Sequence, residues 1–255
     1  MTYFVRPFGL FLFLIICLLS HQVVAAEIKV AVASNFLIPL KYIVKVYQQE
    51  TGEKVIISTG STGKLYAQIV NGAPFDVFLA ANRREPERLE KENYTVHGSR
   101  FTYAQGKLAL WDPKGLHQQS SVEEVLKAVD YKRLSLANPL TAPYGAAAIA
   151  VLQQLKLDKT DKVKFLRGEN VSQAFQYVAS GAADLGFVAL SQLLARSDHQ
   201  QGSYWVVDEK MHSPILQQAV LMKNTQQKLP AQLFLNYLKS SRGQAMIKNF
   251  GYGIR

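Results

Sequence analysis

The stretch that most constrains this chain is Lys54–Val70, KVIISTGSTGKLYAQIV. Val55, Ile56 and Ile57 read as a buried strand, because β-branched residues suit a pleated sheet and the run stops at turn residues. From Leu65 to Ile69 the apolar spacing becomes helical. A strand that turns through Gly60-Ser61-Thr62-Gly63 into a helix leaves unpaired backbone N–H groups and hydroxyls at the helix's positive end, where anions bind. Gly63-Lys64 is not a nucleotide-binding loop. That motif needs a glycine where Ser58 stands and a Ser or Thr where Leu65 stands. A plain helix capped by Ser61 or Thr62 explains the stretch equally well on its own. Repetition of the device elsewhere is what argues for function.

Before the repeats are read, residues 1–26 are set aside as a signal peptide. Arg6 gives a sparse positive start, Phe8 to Leu19 an apolar core too short for a comfortable membrane span, and Val24-Ala25-Ala26 a small-residue cleavage site. The single cysteine, Cys17, lies inside that segment, without the surroundings of a lipoprotein-processing site. The processed protein is therefore expected to lack disulfides, cysteine catalysis and thiolate metal sites. His21, His97, His117, His199 and His212 are scattered without metal-ligand spacing, so no metal centre or cofactor is expected. The formal charge of +10 is spread over many segments without interleaved aromatics. It reads as a solvated positive surface rather than a nucleic-acid patch.

Glu27–Ala33 is strand-like and runs directly into Ser34-Asn35. Leu37, Leu40, Ile43, Val44 and Tyr47 then recur at helical spacing until Thr51-Gly52. Two βα units in tandem imply parallel strands, whose ligands gather beyond the carboxyl ends. A third strand is expected at Phe75–Ala80, with a lone carboxylate at Asp76, and a charged, solvated helix at Arg83–Glu92. Lys107–Trp111 is read as the strand that opens a second lobe. Ser121 should cap a helix holding Val122, Val125 and Leu126. Leu134–Ala137 is a strand leading through Pro143-Tyr144-Gly145 into a helix, and Val163–Leu166 one leading through Asn170-Val171 into another. Further strands are expected at Ala183–Ala189, Tyr204–Val207 and Ile215–Met222, and helices at Ser191–Ala195 and near the C-terminus.

The fold class that follows is α/β with two lobes, each a mixed, mainly parallel sheet flanked by helices, with a hinge and a central cleft. The expected division is 27–105 plus 218–255 for the first lobe and 106–217 for the second. Four strand-to-helix turns carry open backbone or hydroxyls: Ser34-Asn35, Ser61-Thr62, Pro143-Tyr144-Gly145 and Asn170-Val171. Two fall in each lobe, so closure would bring four helix starts onto one point. None offers His, Cys or a carboxylate set for nucleophilic or acid/base work. Neutral donors suit an ionised oxyanion, each bond to charge being worth about 1.5–3 kcal/mol. A ring of donors leaves the proton of hydrogen phosphate without an acceptor.

The segments AVASNF, STGSTGKLYAQIVNGAPFDVFLAA, RFTYAQGKLALW, LANPLTAPYGAAA and GENVSQAFQYVASGAADLGFVALSQ, in that order, resemble the periplasmic molybdate-binding proteins of ATP-driven uptake systems. The likeness spans nearly the whole processed chain. It implies a type II periplasmic binding protein that holds molybdate, and usually tungstate, between its lobes and delivers it to an inner-membrane ABC permease with its ATPase. Molybdenum would enter only as the bound oxyanion. By that resemblance Ser34 falls on the first-turn hydroxyl ligand, Asn35 on an asparagine found in one branch, and Ser61 and Thr62 cover the second-turn ligand. Tyr144 and Val171 match backbone N–H donors. Ala189 stands where another branch places a closing tyrosine, which implies coordination of the asparagine-containing type. The protein is expected to be a periplasmic monomer, with no nucleic-acid partner. Two alternatives remain: a carrier of sulfate or another tetrahedral oxyanion, and a secreted hydrolase using Asp76 or Asp184.

Overall fold

Seven mostly buried residues, Glu27–Ala33, form β1, the second strand of a five-stranded sheet. The structure, a computed structural model, describes residues 27–117, 121–128, 130–196 and 202–254. The expected signal peptide, residues 1–26, lies outside them. A 3₁₀ turn, Ser34–Phe36, links β1 to α1 (Leu37–Thr51), which ends at Gly52 in the left-handed conformation (φ 74°). β2 (Lys54–Gly60), α2 (Thr62–Val70), β3 (Val77–Leu79), α3 (Arg84–Lys91) and β4 (Phe101–Gly106) complete the first pass through this lobe. The second lobe holds β5 (Leu108–Asp112), α4 (Val122–Ala128), β6 (Arg133–Ala137), α5 (Pro143–Gln154) and β7 (Lys164–Gly168). Its remaining elements are α6 (Val171–Ala179), β8 (Leu185–Ala189), α7 (Leu190–Leu194) and β9 (Ser203–Val206). β10 (Ile215–Leu221), α8 (Lys228–Lys239) and α9 (Ser241–Asn249) return the chain to the first lobe.

The two sheets repeat one design. The first has the order β2-β1-β3-β10-β4 and the second β7-β6-β8-β5-β9. In each, the first three strands are parallel, and one strand, β10 or β5, runs against both its neighbours. Both are thus mixed, mainly parallel sheets, as the tandem βα pattern requires. In the first lobe Ile28, Val30 and Val32 pack against Leu40, Ile43, Phe234 and Ile247. Ala31 and Phe78 face the other way, onto Leu65, Ile69 and Leu89. The second lobe is built likewise, with Leu134, Leu136 and Phe187 against Val125, Val151 and Leu152, and Trp111 and Val188 against Val178 and Leu193. Each fully buried side chain of this kind contributes about 1.5–3 kcal/mol.

Three local expectations change. The strand expected to stop at Ile57 continues to Gly60, because β1 supplies ladder partners for Ser58, Thr59 and Gly60 at Ala31, Val32 and Ala33. Phe101–Gly106, where the pattern only changes register, is a strand of the first sheet, antiparallel to β10. β10 begins at Ile215, so Gly106 and Ile215–Gln217 join the first sheet although the expected division placed them in the second lobe. The division had a physical root: the β4–β10 ladder shifts register between Gln217 and Gln218, and Ile215 packs into the second lobe's core. The chain passes from the first sheet to the second after Gly106 and returns to the first sheet between Val206 and Ile215. Gly106, at the first crossing, has no room for a side chain; a Cβ there would lie 2.2 Å from the Tyr144 hydroxyl and 2.6 Å from Gln217 Nε2.

Beyond β5, Asp112 accepts hydrogen bonds from the backbone N–H groups of Lys114 and His117, at 3.0 and 2.9 Å. The His117 ring bridges Asp112 and Asp130, with Nδ1 2.8 Å and Nε2 2.9 Å from the respective carboxylates. Burial acts to lower the His117 pKa, but the Asp112 bond and the charges of Asp130 and Asp112 outweigh it and raise the pKa above 6.5. Burial acts to raise Asp112, and the His117 and Lys114 bonds reverse that, leaving it below the usual value. A raised histidine stabilises the fold fully below about pH 6.5, and that contribution is lost as pH rises through the folded-state value. Melting temperature should therefore fall between pH 6 and 8.5 in the wild type and change less in His117→Asn, with the variant's deficit largest at the acid end.

Candidate functional site

Each of the four turns singled out in the sequence ends a strand and starts a helical element, and the structure brings all four together between the lobes. Ser34, Asn35, Ser61, Thr62, Tyr144 and Val171 border one cavity, with Ala33, Gly60, Ala81, Ala142, Pro143 and Asn170. The free space they border, mouth included, is about 190 Å³. That is a confined space, fitted to a small ion rather than to a sugar or a peptide. The lobes meet around it: Gly63 N–H donates to Thr141 O at 2.9 Å, Ser172 Oγ to Ser34 O at 3.2 Å, and Lys64 pairs with Glu169.

Helix-start accounting shows what the cavity offers. At α6, Asn170 Oδ1 accepts from Ser172 and Gln173 N–H at 3.0 and 3.1 Å, and Ala174 N–H reaches Asn170 O. Val171 N–H alone in that first turn has no acceptor among the described residues. At α5, Pro143 has no N–H, and Gly145 and Ala146 both donate to Ala142 O, which leaves Tyr144 N–H. At α2, Gly63 N–H is spent on Thr141 and Thr62 N–H is not. Asn35 N–H, in the turn after β1, is likewise without an acceptor among the described residues. Four unmatched donors, two from each lobe, thus end around one small space.

The side chains divide differently from the sequence expectation. Ser61 Oγ is buried and has no hydrogen-bond partner, whereas Thr62 Oγ1 already accepts from Ala81 N–H at 3.0 Å. Asn35 Nδ2 donates at 3.0 Å to both Gln217 Oε1 and Tyr252 Oη, so its amide hydrogens are committed behind the cavity. Its remaining donor is the backbone N–H. Gln217 Oε1 also accepts from Tyr103 at 2.9 Å, and Gln217 Nε2 donates to the Tyr144 hydroxyl at 3.3 Å. Burial raises the pKa of Tyr103, Tyr144 and Tyr252, so all three stay neutral across the physiological range. The web of Asn35, Tyr103, Tyr144, Gln217 and Tyr252 carries no charge. Sequence reading missed it, because its members are scattered from residue 35 to residue 252 in otherwise ordinary core positions.

No Asp, Glu, Lys, Arg or His borders the cavity. Asp76 instead accepts Lys29 N–H at 2.7 Å and the Thr225 hydroxyl, at the opposite end of β3 from Ala81. The two positions lie five residue steps apart along extended chain, about 16 Å. Asp184 ties Lys132 N–H, Arg133 N–H and the Arg133 guanidinium at 3.1, 2.9 and 2.9 Å. Burial works to raise the Asp184 pKa, and Arg133 holds it down. Both carboxylates staple strand beginnings, which removes the acid/base roles considered for them.

Two repeated sheets, double crossovers and a donor-lined cavity between lobes define a solute-binding protein. The chain belongs to the bacterial extracellular solute-binding protein family, whose profile matches residues 28–253. It is therefore a binding protein and not an enzyme. It is 48% identical to the molybdate-binding protein ModA of Azotobacter vinelandii, over 93% of this chain and 94% of that one. To the molybdate-binding protein ModA of Rhodobacter capsulatus it is 40% identical, over 92% and 91%. The solved periplasmic molybdate-binding protein of Azotobacter vinelandii superposes with a TM-score of 0.85 at 41% identity, covering 90% of this chain and all of that one.

The cap at α6 gives a direct check on this accounting. Asn170→Ala should cost about 1 kcal/mol of stability, read by denaturant unfolding, because two first-turn N–H groups lose their acceptor.

Proposed function

We propose that this protein captures molybdate, and tungstate with it, in the cavity between its lobes. In this reading it works in the periplasm after removal of residues 1–26, as a monomer, and hands the anion to an inner-membrane ABC permease driven by its ATPase. The observation that carries the proposal is the convergence of the unmatched N–H groups of Asn35, Thr62, Tyr144 and Val171 with the unpartnered Ser61 hydroxyl. An ionised oxyanion would satisfy all of them. Bonds to charge are worth about 1.5–3 kcal/mol each, and helix starts add their positive ends. No carboxylate stands by to accept the proton of hydrogen phosphate, which disfavours that ion. The names of the relatives and the residues shared with them support molybdate over other tetrahedral anions.

Ser34 and Ser61 are assigned as hydroxyl donors. Thr62 takes part through its backbone and through the hydroxyl proton that its bond to Ala81 leaves free. Asn35, Tyr144 and Val171 are assigned as backbone donors. A sulfate carrier would use the same donors and a slightly smaller cavity, so the decisive experiment is comparative. Calorimetric titration with molybdate, tungstate, sulfate and phosphate, at one pH and salt, should show tight one-to-one binding of the first two only. Tight sulfate binding would transfer the cargo to that ion, and silence from all four would end the oxyanion reading.

The backbone assignment has its own test at Val171. Asn170 is extended (φ −145°, ψ 174°) and Val171 is the first helical residue, so proline fits there while deleting the N–H. Val171→Pro should weaken molybdate binding at least tenfold and Val171→Ala less than threefold, a tenfold change being about 1.4 kcal/mol. Equal losses would contradict the assignment. Ser61→Ala should also lower affinity, with little effect on the melting temperature of the anion-free protein.

A further inference from the structure

Behind the cavity, the turn Ser34–Phe36 is held by groups that never reach the anion. Two of its three carbonyl oxygens are gripped from the opposite lobe. Ser172 Oγ, on α6, donates to Ser34 O at 3.2 Å, and Ser191 Oγ, on α7, donates to Asn35 O at 3.0 Å. Each serine is itself fixed. Gln192 Nε2 donates to Ser172 Oγ at 3.3 Å while Gln192 Oε1 accepts from Ala189 N–H at 3.0 Å. Tyr252 Oη lies 2.9 Å from both Ser191 Oγ and Asn35 O. Ser191, Gln192, Asn35 and Tyr252 are all buried. Neither serine borders the anion cavity; both border the neighbouring part of the cleft, with Ile38, Phe175 and Arg196.

The peptide bond makes this grip consequential. Ser34 C=O and Asn35 N–H belong to one planar, trans unit and point in opposite directions. Fixing the carbonyl toward α6 therefore fixes the N–H on the other side, and a hydrogen bond accepted by the carbonyl polarises that N–H. Within the turn's own lobe Leu37 N–H also donates to Ser34 O and Tyr252 Oη to Asn35 O; because the serines sit on the second lobe, their bonds are added only when the lobes are together.

We propose that Ser172 and Ser191 are positioning residues for anion capture: they align and polarise the Ser34–Asn35 turn across the cleft and so couple lobe closure to affinity. This rests on the oxyanion reading above and adds to it two residues outside the cavity. Opening the lobes would break both serine bonds at once and leave the turn held only by Leu37 N–H and Tyr252 from its own lobe. The pair should therefore act on release more than on capture.

The test compares the wild type with Ser172→Ala, Ser191→Ala, the double variant and Ser172→Thr, using molybdate titration, stopped-flow binding and melting of the anion-free protein. Two neutral hydrogen bonds correspond to a loss of about 5- to 100-fold in the double variant. That loss should appear mainly as faster release, with the anion-free melting temperature within about 3 °C of wild type, a shift of about 1 kcal/mol in stability at this chain size. Ser172→Thr, which keeps the hydroxyl, should bind within about threefold of wild type. A double variant with unchanged affinity and release rate, beside a wild type that binds, would overturn this inference alone. So would a loss that appears only as lowered melting temperature. A wild type that binds none of the four oxyanions would overturn the reading beneath it and this inference together.

Discussion

Everything in this structure depends on the requirement that buried backbone N–H groups find acceptors. At each of four strand-to-helix turns the local sequence satisfies part of the first turn and leaves at least one donor over. Asn170 takes two at α6, Pro143 removes one at α5, and Thr141 of the opposite lobe takes Gly63's at α2. The residual donors face the same small space. A cavity built this way is complementary to negative charge without containing a positive side chain. Its donors are fixed by helices rather than carried on flexible lysines, so little ordering is required when an anion arrives.

The absence of ionisable groups around that space has a second consequence. Tyr103, Tyr144 and Tyr252 are held neutral by burial, and Asn35 and Gln217 do not titrate. The web that supports the turn after β1 is thus indifferent to pH over the physiological range. Charged groups are kept where they act on stability alone: His117 between Asp112 and Asp130, and Asp184 beneath Arg133. Of the charged pairs that cross the cleft, Lys64–Glu169 is at its exposed rim, where screening makes its contribution small. Neutral hydrogen bonds, Gly63 to Thr141, Ser172 to Ser34 and Ser191 to Asn35, join the lobes around the cavity.

Much of this was legible in the chain. Alternating and helical spacing located the βα units, and Ser34-Asn35, Ser61-Thr62, Tyr144 and Val171 fell at turns that the fold brings to one cavity. Parallel sheets place successive helix starts at one edge, so a repeated local signal carried spatial information. Less legible was β4, whose FTYAQG lacks a clean alternation because its last four residues are all buried. The place where β10 changes allegiance was blurred by the register shift at Gln217/Gln218.

The sequence by itself determined the elements, the repeated sheet design and the identity of the donors, because these follow from spacing and turn chemistry within a few residues. Tertiary structure alone decided which donors remain free. Whether Ser61 or Thr62 keeps an unpartnered hydroxyl depends on Ala81, and whether Asn35 offers its amide depends on Gln217 and Tyr252. Those partners lie from about 20 to about 217 residues away along the chain. Hydrogen-bond capacity is local, but its expenditure is settled by whatever the fold brings within about 3 Å.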